Sequence, residues 1–317
     1  MAVLIESKVK SELKTELQSE LIVDQVSRAA ADALRTEAWV APKPGLVDRF
    51  DSGSHRDMNL HTFYRSAEAI APFLGRMAAC GAEHSGERLK GVFAQARRIG
   101  LEAEAAMFSA TGGVNTHKGA IFTLGLLSTA WGYVSASRAN ACANARAAGR
   151  GAQAGPFSEE RLLECAGGMV AGIVVEELAA GRGGCPTAGA RVYRAYGLTG
   201  IRGEAERGFP SVHGYGLPVL RQARQAGLDA DACGLQALLS LMTVVEDSNV
   251  AARGGLSGLR FTQEAARRGC AAGGALTEPG RDHIEYMNRA FIERNLSPGG
   301  CADLLAATLF LDTLGKE

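Results

Sequence analysis

The stretch that decides the fold is GAIFTLGLLSTAWGYVSAS, residues 119–137, which contains no charged side chain. Its length is close to that of a membrane-spanning helix. However, it carries five Ser and Thr side chains and three glycines, and the chain has no second stretch of this kind. A helix surrounded on most sides by other helices has the same composition. We therefore predict a buried central helix here, and no membrane association.

Helical spacing of apolar residues continues on both sides of this stretch. It predicts helices over 3–40, from 63 onward, and over 86–108, 158–180, 186–196, 216–246, 259–272 and 279–315. No short strands rich in Val, Ile and Thr alternate with these helices, which argues against a Rossmann-type sheet. There is also no glycine-rich nucleotide-binding motif of the G-x-G-x-x-G or P-loop type. The predicted fold class is all-α, a single-domain multi-helix bundle with an active site built from polar loops.

The domain limits follow from changes in composition. Residues 1–25 are more charged than the rest and are predicted to be an N-terminal helical extension, with the main domain over 26–317. Pro42 and Pro44 end the first helical region, because a residue before proline is disfavoured in the α conformation. The Ala-, Gly- and Arg-rich residues 140–157 are predicted to be a surface insertion.

The composition excludes several classes of protein. Of 317 residues, 46% are hydrophobic, which excludes a disordered chain. The 34 Lys and Arg balance the 34 Asp and Glu, so nothing in the net charge favours nucleic acid or a membrane surface as partner. The seven cysteines show no metal-binding spacing and are predicted to be free thiols. With no secretory signal, the predicted location is the cytoplasm. Homo-oligomerisation is left open.

Five polar loops containing glycine are the unusual feature, because loops in a helical bundle are normally short. The first, PKPGLVDRFDSGSHRDMN (42–59), holds three Asp, two Arg, one Lys and one His. It is either a solvated loop in which Asp57 caps the next helix, or a loop that binds metal and anion. The second possibility rests on the affinity of carboxylates for Mg²⁺ and of Lys and Arg for phosphate oxygens.

The second loop, GVNTHKG (113–119), leads into the uncharged helix. Asn115 or Thr116 can cap that helix, but free backbone N–H groups beside a lysine also suit a phosphate. The fourth, beginning DSN at 247, follows an apolar helix. Acidic side chains at a helix C-terminus oppose the helix dipole, so a cation there is expected.

The third loop, GIRGEAERGFP (200–210), places Glu204 and Glu206 on either side of a small residue. They form either a surface charge cluster or a general base or metal ligand. The fifth, NLSPGGCAD (295–303), is predicted to be a structural turn, with Asp303 in the first turn of the last helix. Taken together, the loops predict an α-helical protein with a site for Mg²⁺ and polyphosphate.

In this order, the five segments resemble the triphosphoribosyl-dephospho-CoA synthase family. The matching motifs are PKPGLVDRFDSGSHRDM (42–58), GVNTHKGAIFTLGLL (113–127), GLTGIRGEAERGFPSV (197–212), DSNVAARGG (247–255) and ERNLSPGGCADLLA (293–306). The resemblance implies an all-helical fold and the substrates ATP and 3′-dephospho-CoA. In the implied reaction, ribose C1 of ATP is joined to the 2′-hydroxyl of 3′-dephospho-CoA, and adenine is expelled.

The resemblance also suggests roles for the loop residues, because displacement at an anomeric carbon develops positive charge that a carboxylate can stabilise. Glu204 or Glu206 is the expected base or charge stabiliser, and the expected cofactor is Mg²⁺. The expected catalytic residues are Glu204, Glu206 and His117. The expected substrate-binding residues are Lys43, Arg49, His55, Asn115, Lys118, Arg202, Asn249 and Arg253. The expected metal ligands are Asp48, Asp51 and Asp247.

Two branches of this family serve different client enzymes. The details of the motifs resemble the citrate lyase branch more than the malonate decarboxylase branch. In the first case, the product passes to a holo-acyl carrier protein synthase and becomes the lyase prosthetic group. A Mg²⁺-dependent ADP-ribosyl hydrolase, with water as nucleophile, is the alternative enzyme. A helical nucleotide-binding scaffold, which would bind without releasing adenine, is the alternative without catalysis.

Overall fold

The computed structural model describes residues 2–147, 158–180 and 187–315, and within them the side chains of all but residues 2–19, 144, 146 and 147. Within these ranges the chain forms helices and no strands, so the predicted all-α fold is confirmed. The α-helices are α1 (Ala2–Trp39), α2 (Leu60–Glu83), α3 (Leu89–Thr111), α4 (Lys118–Ala147), α5 (Glu159–Met169), α6 (Ala188–Tyr196), α7 (Gly200–Glu206), α8 (Leu217–Gln225), α9 (Ala230–Met242), α10 (Ser248–Ala271), α11 (Glu278–Glu293) and α12 (Gly299–Leu314). Two π-helical segments (Val174–Ala179 and Val212–Gly216) and a 3₁₀ turn (Gly274–Leu276) complete them.

Helix α4 is the predicted central helix. It packs against α2, α3, α5 and α12, and Leu124, Leu127 and Ala130 are fully buried. By length and composition alone, Lys118–Ala143 would be long and apolar enough to cross a membrane. However, 72% of its apolar window is buried inside the protein, which is the pattern of a core helix.

Glycines let α2 and α4 approach each other closely. A Cβ atom added at Gly132 would lie 1.8 Å from the carbonyl oxygen of Ala78 on α2. One added at Gly81 would lie 2.0 Å from the carbonyl oxygen of Thr129 on α4. The two backbones are thus in contact, so side-chain-free positions are required on both helices.

The first loop ends in a helix cap that differs from the prediction. Asn59, not Asp57, caps α2: its side chain accepts a hydrogen bond from the Thr62 backbone, and the Thr62 side chain bonds back to the Asn59 backbone. This reciprocal pair is a capping box, which needs the two side chains three residues apart.

Two predicted loops are largely helical. Residues 200–206, within the third loop, form α7, and the predicted loop over 247–258 is the start of α10. The side chain of Asp247 caps α10 by accepting hydrogen bonds from Asn249 N and Val250 N. It therefore lies at a helix N-terminus, where the dipole favours a carboxylate, and the argument that it needed a cation was wrong. Glycines and polar residues hid the helical periodicity, and Gly255 interrupts α10 with a φ of 62°.

Other predicted helices are shorter or longer than expected. The predicted block 216–246 breaks between α8 and α9, where Asp229 caps α9. The predicted helix 158–180 ends at Met169 and continues as the first π-helical segment. Helix α4 extends to Ala147 into the predicted insertion, whose residues 148–157 lie outside the described residues. Helix α1 runs unbroken through residue 25, and the predicted domain limit there stays a prediction. The described cysteines are free thiols, and Cys185 lies outside the described residues.

Candidate active site

A cavity of about 1000 Å³ opens among the ends of the helices. Its wall is formed by the first loop, the faces of α3 and α4, and the N-terminal turns of α6, α7, α10 and α12. Most predicted site residues lie on this wall: Lys43, His55, Asn115, His117, Lys118, Arg202, Glu204, Asp247, Asn249 and Arg253. The fold thus brings all of the first four predicted loops to one place.

Four predicted site residues do not line the cavity. Arg49 lies over the rings of Trp39 and Phe50 and pairs with Asp231, so its charge is held outside the cavity. The carboxylate of Glu206 instead accepts hydrogen bonds from the backbone of Gly172 and Val174, at the start of the first π-helical segment. Of the two candidate bases, only Glu204 faces the site.

The other two are Asp48 and Asp51, which were predicted to bind metal. Asp48 is buried, and its oxygens accept hydrogen bonds from the backbone N–H groups of Lys43, Phe50 and Asp51. The exposed Asp51 carboxylate accepts hydrogen bonds from Gly53 N and from the side-chain amide of Asn288. Both carboxylates therefore shape the first loop.

Asp247 lines the cavity but is also fully engaged. One oxygen accepts the two hydrogen bonds from α10. The other accepts a hydrogen bond of 2.9 Å from Cys301 N, at the start of α12. Asp247 thus holds two helix N-termini together. Among the described residues, no three His, Cys, Asp or Glu side chains are grouped so that they could bind a metal ion. Asp48, Asp51 and Asp247 therefore do not fit a shared Mg²⁺ site.

Lys43, on the cavity wall, forms a buried ion pair with Glu37. It is 1% exposed, and its Nζ donates to the carboxylate and the carbonyl oxygen of Glu37. Burial raises the pKa of Glu37, and the lysine opposes this rise. A buried lysine already paired with a carboxylate has little capacity to bind phosphate, so the predicted role of Lys43 is not supported by its contacts.

His117 is fully buried on the cavity wall, and its ring stands edge-on to Phe63. Its Nδ1 lies 2.7 Å from Ser66 Oγ, and the same Ser66 oxygen lies 2.7 Å from the hydroxyl of Thr116. Its Nε2 has no partner among the described residues. Burial, followed by the charge of Lys43, lowers the pKa of His117 to about 3, so the ring is neutral. An unpaired buried ring nitrogen calls for an explanation, and a ligand in the adjoining cavity is one.

Glu204 is a buried carboxylate that lines the cavity. It is 6% exposed on α7, and its Oε1 accepts a hydrogen bond from Ser211 N, while Arg207 lies 3.7 Å from Oε2. Burial raises its pKa above the ordinary value, and the hydrogen bonds from Ser211 and the charge of Arg207 oppose the rise. A raised carboxyl pKa suits a general base that acts near neutral pH.

The rim on the side of the first loop is built around Arg253. Its Nη1 donates to Ser54 O and to the side chain of Asn295, and its Nη2 lies 3.4 Å from His55 Nδ1. The other ring nitrogen of His55 lies 2.8 Å from Ser297 Oγ. Burial, followed by the Arg253 charge, lowers the pKa of His55. These contacts hold the first loop, α10 and the fifth loop together at the cavity.

The second loop caps α4 as predicted, with Asn115 Oδ1 accepting a hydrogen bond from Lys118 N. The side chain of Lys118 pairs at 2.7 Å with Glu104. Asp303 was predicted in the first turn of α12, but that turn holds no acidic residue and Asp303 follows directly after it, from where it reaches across to the same helix start. A Cβ added at Gly119 would lie 1.9 Å from its Oδ2, so glycine makes room for this buried carboxyl.

Several cavity residues were missed from the sequence because they lie on helices without a motif. They are Arg97 and Gly100 on α3, Glu177 on the first π-helical segment, and Arg194 on α6. Arginine and glutamate on amphipathic helices normally face solvent, so no sequence pattern separated them from surface charges.

Comparison with known proteins gives one consistent result. The sequence model of the ATP:dephospho-CoA triphosphoribosyl transferase family matches residues 23–317. A 2-(5''-triphosphoribosyl)-3'-dephosphocoenzyme-A synthase from Pectobacterium atrosepticum is 43% identical over 90% of this chain and 88% of its own length. A probable synthase of the same name from Vibrio cholerae is 42% identical over 89% of this chain and 86% of its own length. A probable synthase from Salmonella typhi is 40% identical over 92% of this chain and 91% of its own length. No solved structure matches the chain.

Proposed function

Because the chain belongs to the ATP:dephospho-CoA triphosphoribosyl transferase family, and is therefore a transferase that uses ATP and dephospho-CoA, we propose that the cavity described above is its active site. The observation that carries the proposal is the position of His117 and Glu204. Both are buried, both line the same cavity, and one has an unpaired ring nitrogen while the other has a raised pKa.

We assign Glu204 as the base that accepts the proton of the 2′-hydroxyl of 3′-dephospho-CoA as its oxygen attacks ribose C1 of ATP. The bond from C1 to adenine breaks as the new C–O bond forms, and the triphosphate stays on the ribose. Positive charge develops on the ribose during this exchange, and the same carboxylate stabilises it. Glu206 has no part in this step, since its carboxylate is bonded to the backbone elsewhere.

His117 is proposed to hydrogen-bond the leaving adenine. If Thr116 donates its hydroxyl hydrogen to Ser66, the Ser66 hydroxyl is free to donate to His117 Nδ1, and the histidine proton then resides on Nε2. Because His117 lines the cavity, its neutral Nε2–H group is proposed as the donor for a ring nitrogen of adenine. Such a bond stabilises the negative charge that adenine takes as it leaves.

Asn115, Asn249 and His55 are proposed to orient the sugar and base, because their polar side chains line the same cavity. Lys118, Arg202 and Arg253 are the proposed phosphate contacts that remain from the sequence prediction. Mg²⁺ enters this proposal only as the ion that accompanies ATP, since the predicted carboxylate ligands do not fit a resident metal.

The client is proposed to be citrate lyase rather than malonate decarboxylase, on the motif details described above. The product would then pass to a holo-acyl carrier protein synthase. Incubating purified protein and each client's apo acyl carrier subunit with that synthase would test this choice. Modification of the malonate decarboxylase subunit alone would contradict it.

The activity itself is tested by incubating the protein with ATP, Mg²⁺ and 3′-dephospho-CoA, and following adenine release with mass detection of products. Adenine and a dephospho-CoA adduct heavier by one triphosphoribosyl unit are expected. Adenine without the adduct would mean that water is the nucleophile, as in the hydrolase alternative. Intact ATP would contradict the proposal.

A further inference from the structure

In the structure, most of the residues predicted to bind phosphate are paired with other protein groups or lie outside the cavity. Arg49 is outside the cavity, Lys43 is paired with Glu37, and the Nη1 and Nη2 of Arg253 contact Ser54, Asn295 and His55. Lys118 is paired with Glu104. The substrates nevertheless carry two separate polyphosphate groups, a triphosphate on ATP and a diphosphate in dephospho-CoA. Two polyphosphate groups therefore need more cationic hydrogen-bond donors than Lys118 and Arg253 supply.

A cluster on another part of the cavity wall has such donors. We define the arginine clamp as Arg97, Arg202, Arg194 and Glu177, from α3, α7, α6 and the first π-helical segment. The Glu177 side chain is 11% exposed, and its carboxylate forms an ion pair with Arg97 Nη1. It also accepts a hydrogen bond of 2.7 Å from Arg202 Nε. Both guanidinium groups pull the pKa of Glu177 down against the effect of burial, so this carboxylate stays ionised and holds both arginines in place.

The clamp has unused donors. An arginine has five N–H groups, and Glu177 accepts one from Arg97 and one from Arg202. The remaining N–H groups of both arginines have no other acceptor among the described residues. Arg194, exposed on the same wall, has no ion-pair partner there either. Two guanidinium groups thus share one carboxylate, and with Arg194 on the wall of the same cavity the positive charge exceeds that of Glu177.

The space beside the clamp is open to a ligand. Arg202 Nη1 lies 3.6 Å from where a Cβ would stand on Gly189, in the first turn of α6, and Gly189 itself lines the cavity. In this first turn the backbone N–H of Ala190 donates to the capping Thr187 Oγ1, while that of Gly189 has no acceptor within the helix. Arginine pairs held by a carboxylate are suited to bidentate binding of phosphate oxygens, because less side-chain freedom is lost on binding.

From these observations we propose that the arginine clamp is a diphosphate-binding subsite, formed by Arg97, Arg202 and Arg194 and preorganised by Glu177, that holds the phosphate chain of one of the two substrates. This inference rests on the proposed function for the identity of the ligand. The chemistry it requires is that of a pyrophosphate group, which both substrates contain.

The direct test is titration calorimetry with inorganic pyrophosphate as the probe, which does not depend on turnover. The wild type should bind, and Arg97→Ala and Arg194→Ala should each weaken binding about tenfold, as expected for loss of a charge-assisted hydrogen bond. The matched control is Arg98→Ala, which removes an exposed arginine next to Arg97 that does not line the cavity. Its affinity should equal that of the wild type.

Steady-state kinetics then identify the substrate. A rise of about tenfold in KM for ATP alone, or for dephospho-CoA alone, in Arg97→Ala would support the subsite and name its occupant. Unchanged pyrophosphate affinity in both variants, or no binding by the wild type, would overturn it. A wild type that binds pyrophosphate through Arg97 but releases no adenine would instead contradict the proposed function and leave the subsite standing. Since Arg97 is about half exposed, its loss is not expected to prevent folding.

Discussion

Glu204 differs from the neighbouring Glu206 only in its environment, and that difference predicts a distinct pH dependence. Burial raises the pKa of Glu204, so it is ionised only above this raised pKa. As pH falls through that value, the base is protonated and kcat/KM should decline, at a pH above the ordinary carboxyl value of 4.5. A pH profile of adenine release measures this decline.

Substitution separates the two carboxylates. Glu204→Gln removes the base and should lower kcat by about 100-fold or more. Glu206→Gln is the matched control: it should reduce stability through lost contacts with the Gly172 backbone, but a folded preparation should keep the acidic limb of the wild-type profile. Near-normal turnover in Glu204→Gln would refute its role as base.

Ser66 is predicted to act through His117. Ser66→Ala removes the hydroxyl at 2.7 Å from His117 Nδ1, so the ring loses the contact that sets its orientation and proton position. We expect kcat to fall about tenfold or more with little change in KM, measured by adenine release. Ser66→Thr keeps a hydroxyl and should restore part of the loss. Equal kcat in Ser66→Ala and wild type would contradict the assignment.

At the scale of elements, the contact between α2 and α4 depends on glycine. Gly132→Ala would bring a methyl group to 1.8 Å from a backbone carbonyl on α2, which neither helix can relieve by rotating a side chain. We expect a loss of about 2 kcal/mol or more in the free energy of unfolding, and a Tm lower by about 4 °C or more.

The matched control for this contact is Gly91→Ala on α3. Gly91 is exposed, and an added Cβ would meet no atom within 4 Å. Replacing glycine by alanine inside a helix without strain should stabilise the protein by about 0.5–1 kcal/mol. If thermal unfolding shows the same Tm for both variants, close backbone approach does not determine the stability of this helix pair.

At the scale of the whole molecule, the N-terminal part of α1 is predicted to be dispensable. The family match begins at residue 23, and among the α1 residues from Glu20 onward the first fully buried side chain is that of Val26. Deletion of residues 2–19, which lie outside the family match, should therefore leave turnover within about twofold and Tm nearly unchanged. Deletion of residues 2–30 removes Val26, Ala29 and Ala30 from the core and should cause unfolding in a thermal scan. Loss of turnover in the shorter deletion would contradict the predicted domain limit.

Sequence by itself determined the helical class, the buried central helix and the approximate place of the site. The uncharged run 119–137 has one stable solution in water, which is burial among other helices, and polar glycine loops at helix ends are visible without a structure. The five loop motifs also carried the family resemblance, and the family match confirmed it.

Only the tertiary structure decided which charged residues face the cavity. Glu204 and Glu206 are equivalent in sequence, but the rotation of α7 turns one into the cavity and the other toward a backbone turn. The sequence predicts Asp247 at the end of one helix. In the structure its side chain caps the start of the next helix, α10, and also bonds to the start of α12. Arg97 and Glu177 meet although they are 80 residues apart. Local periodicity records which residues lie on one helix face, whereas such pairings depend on how separate helices pack.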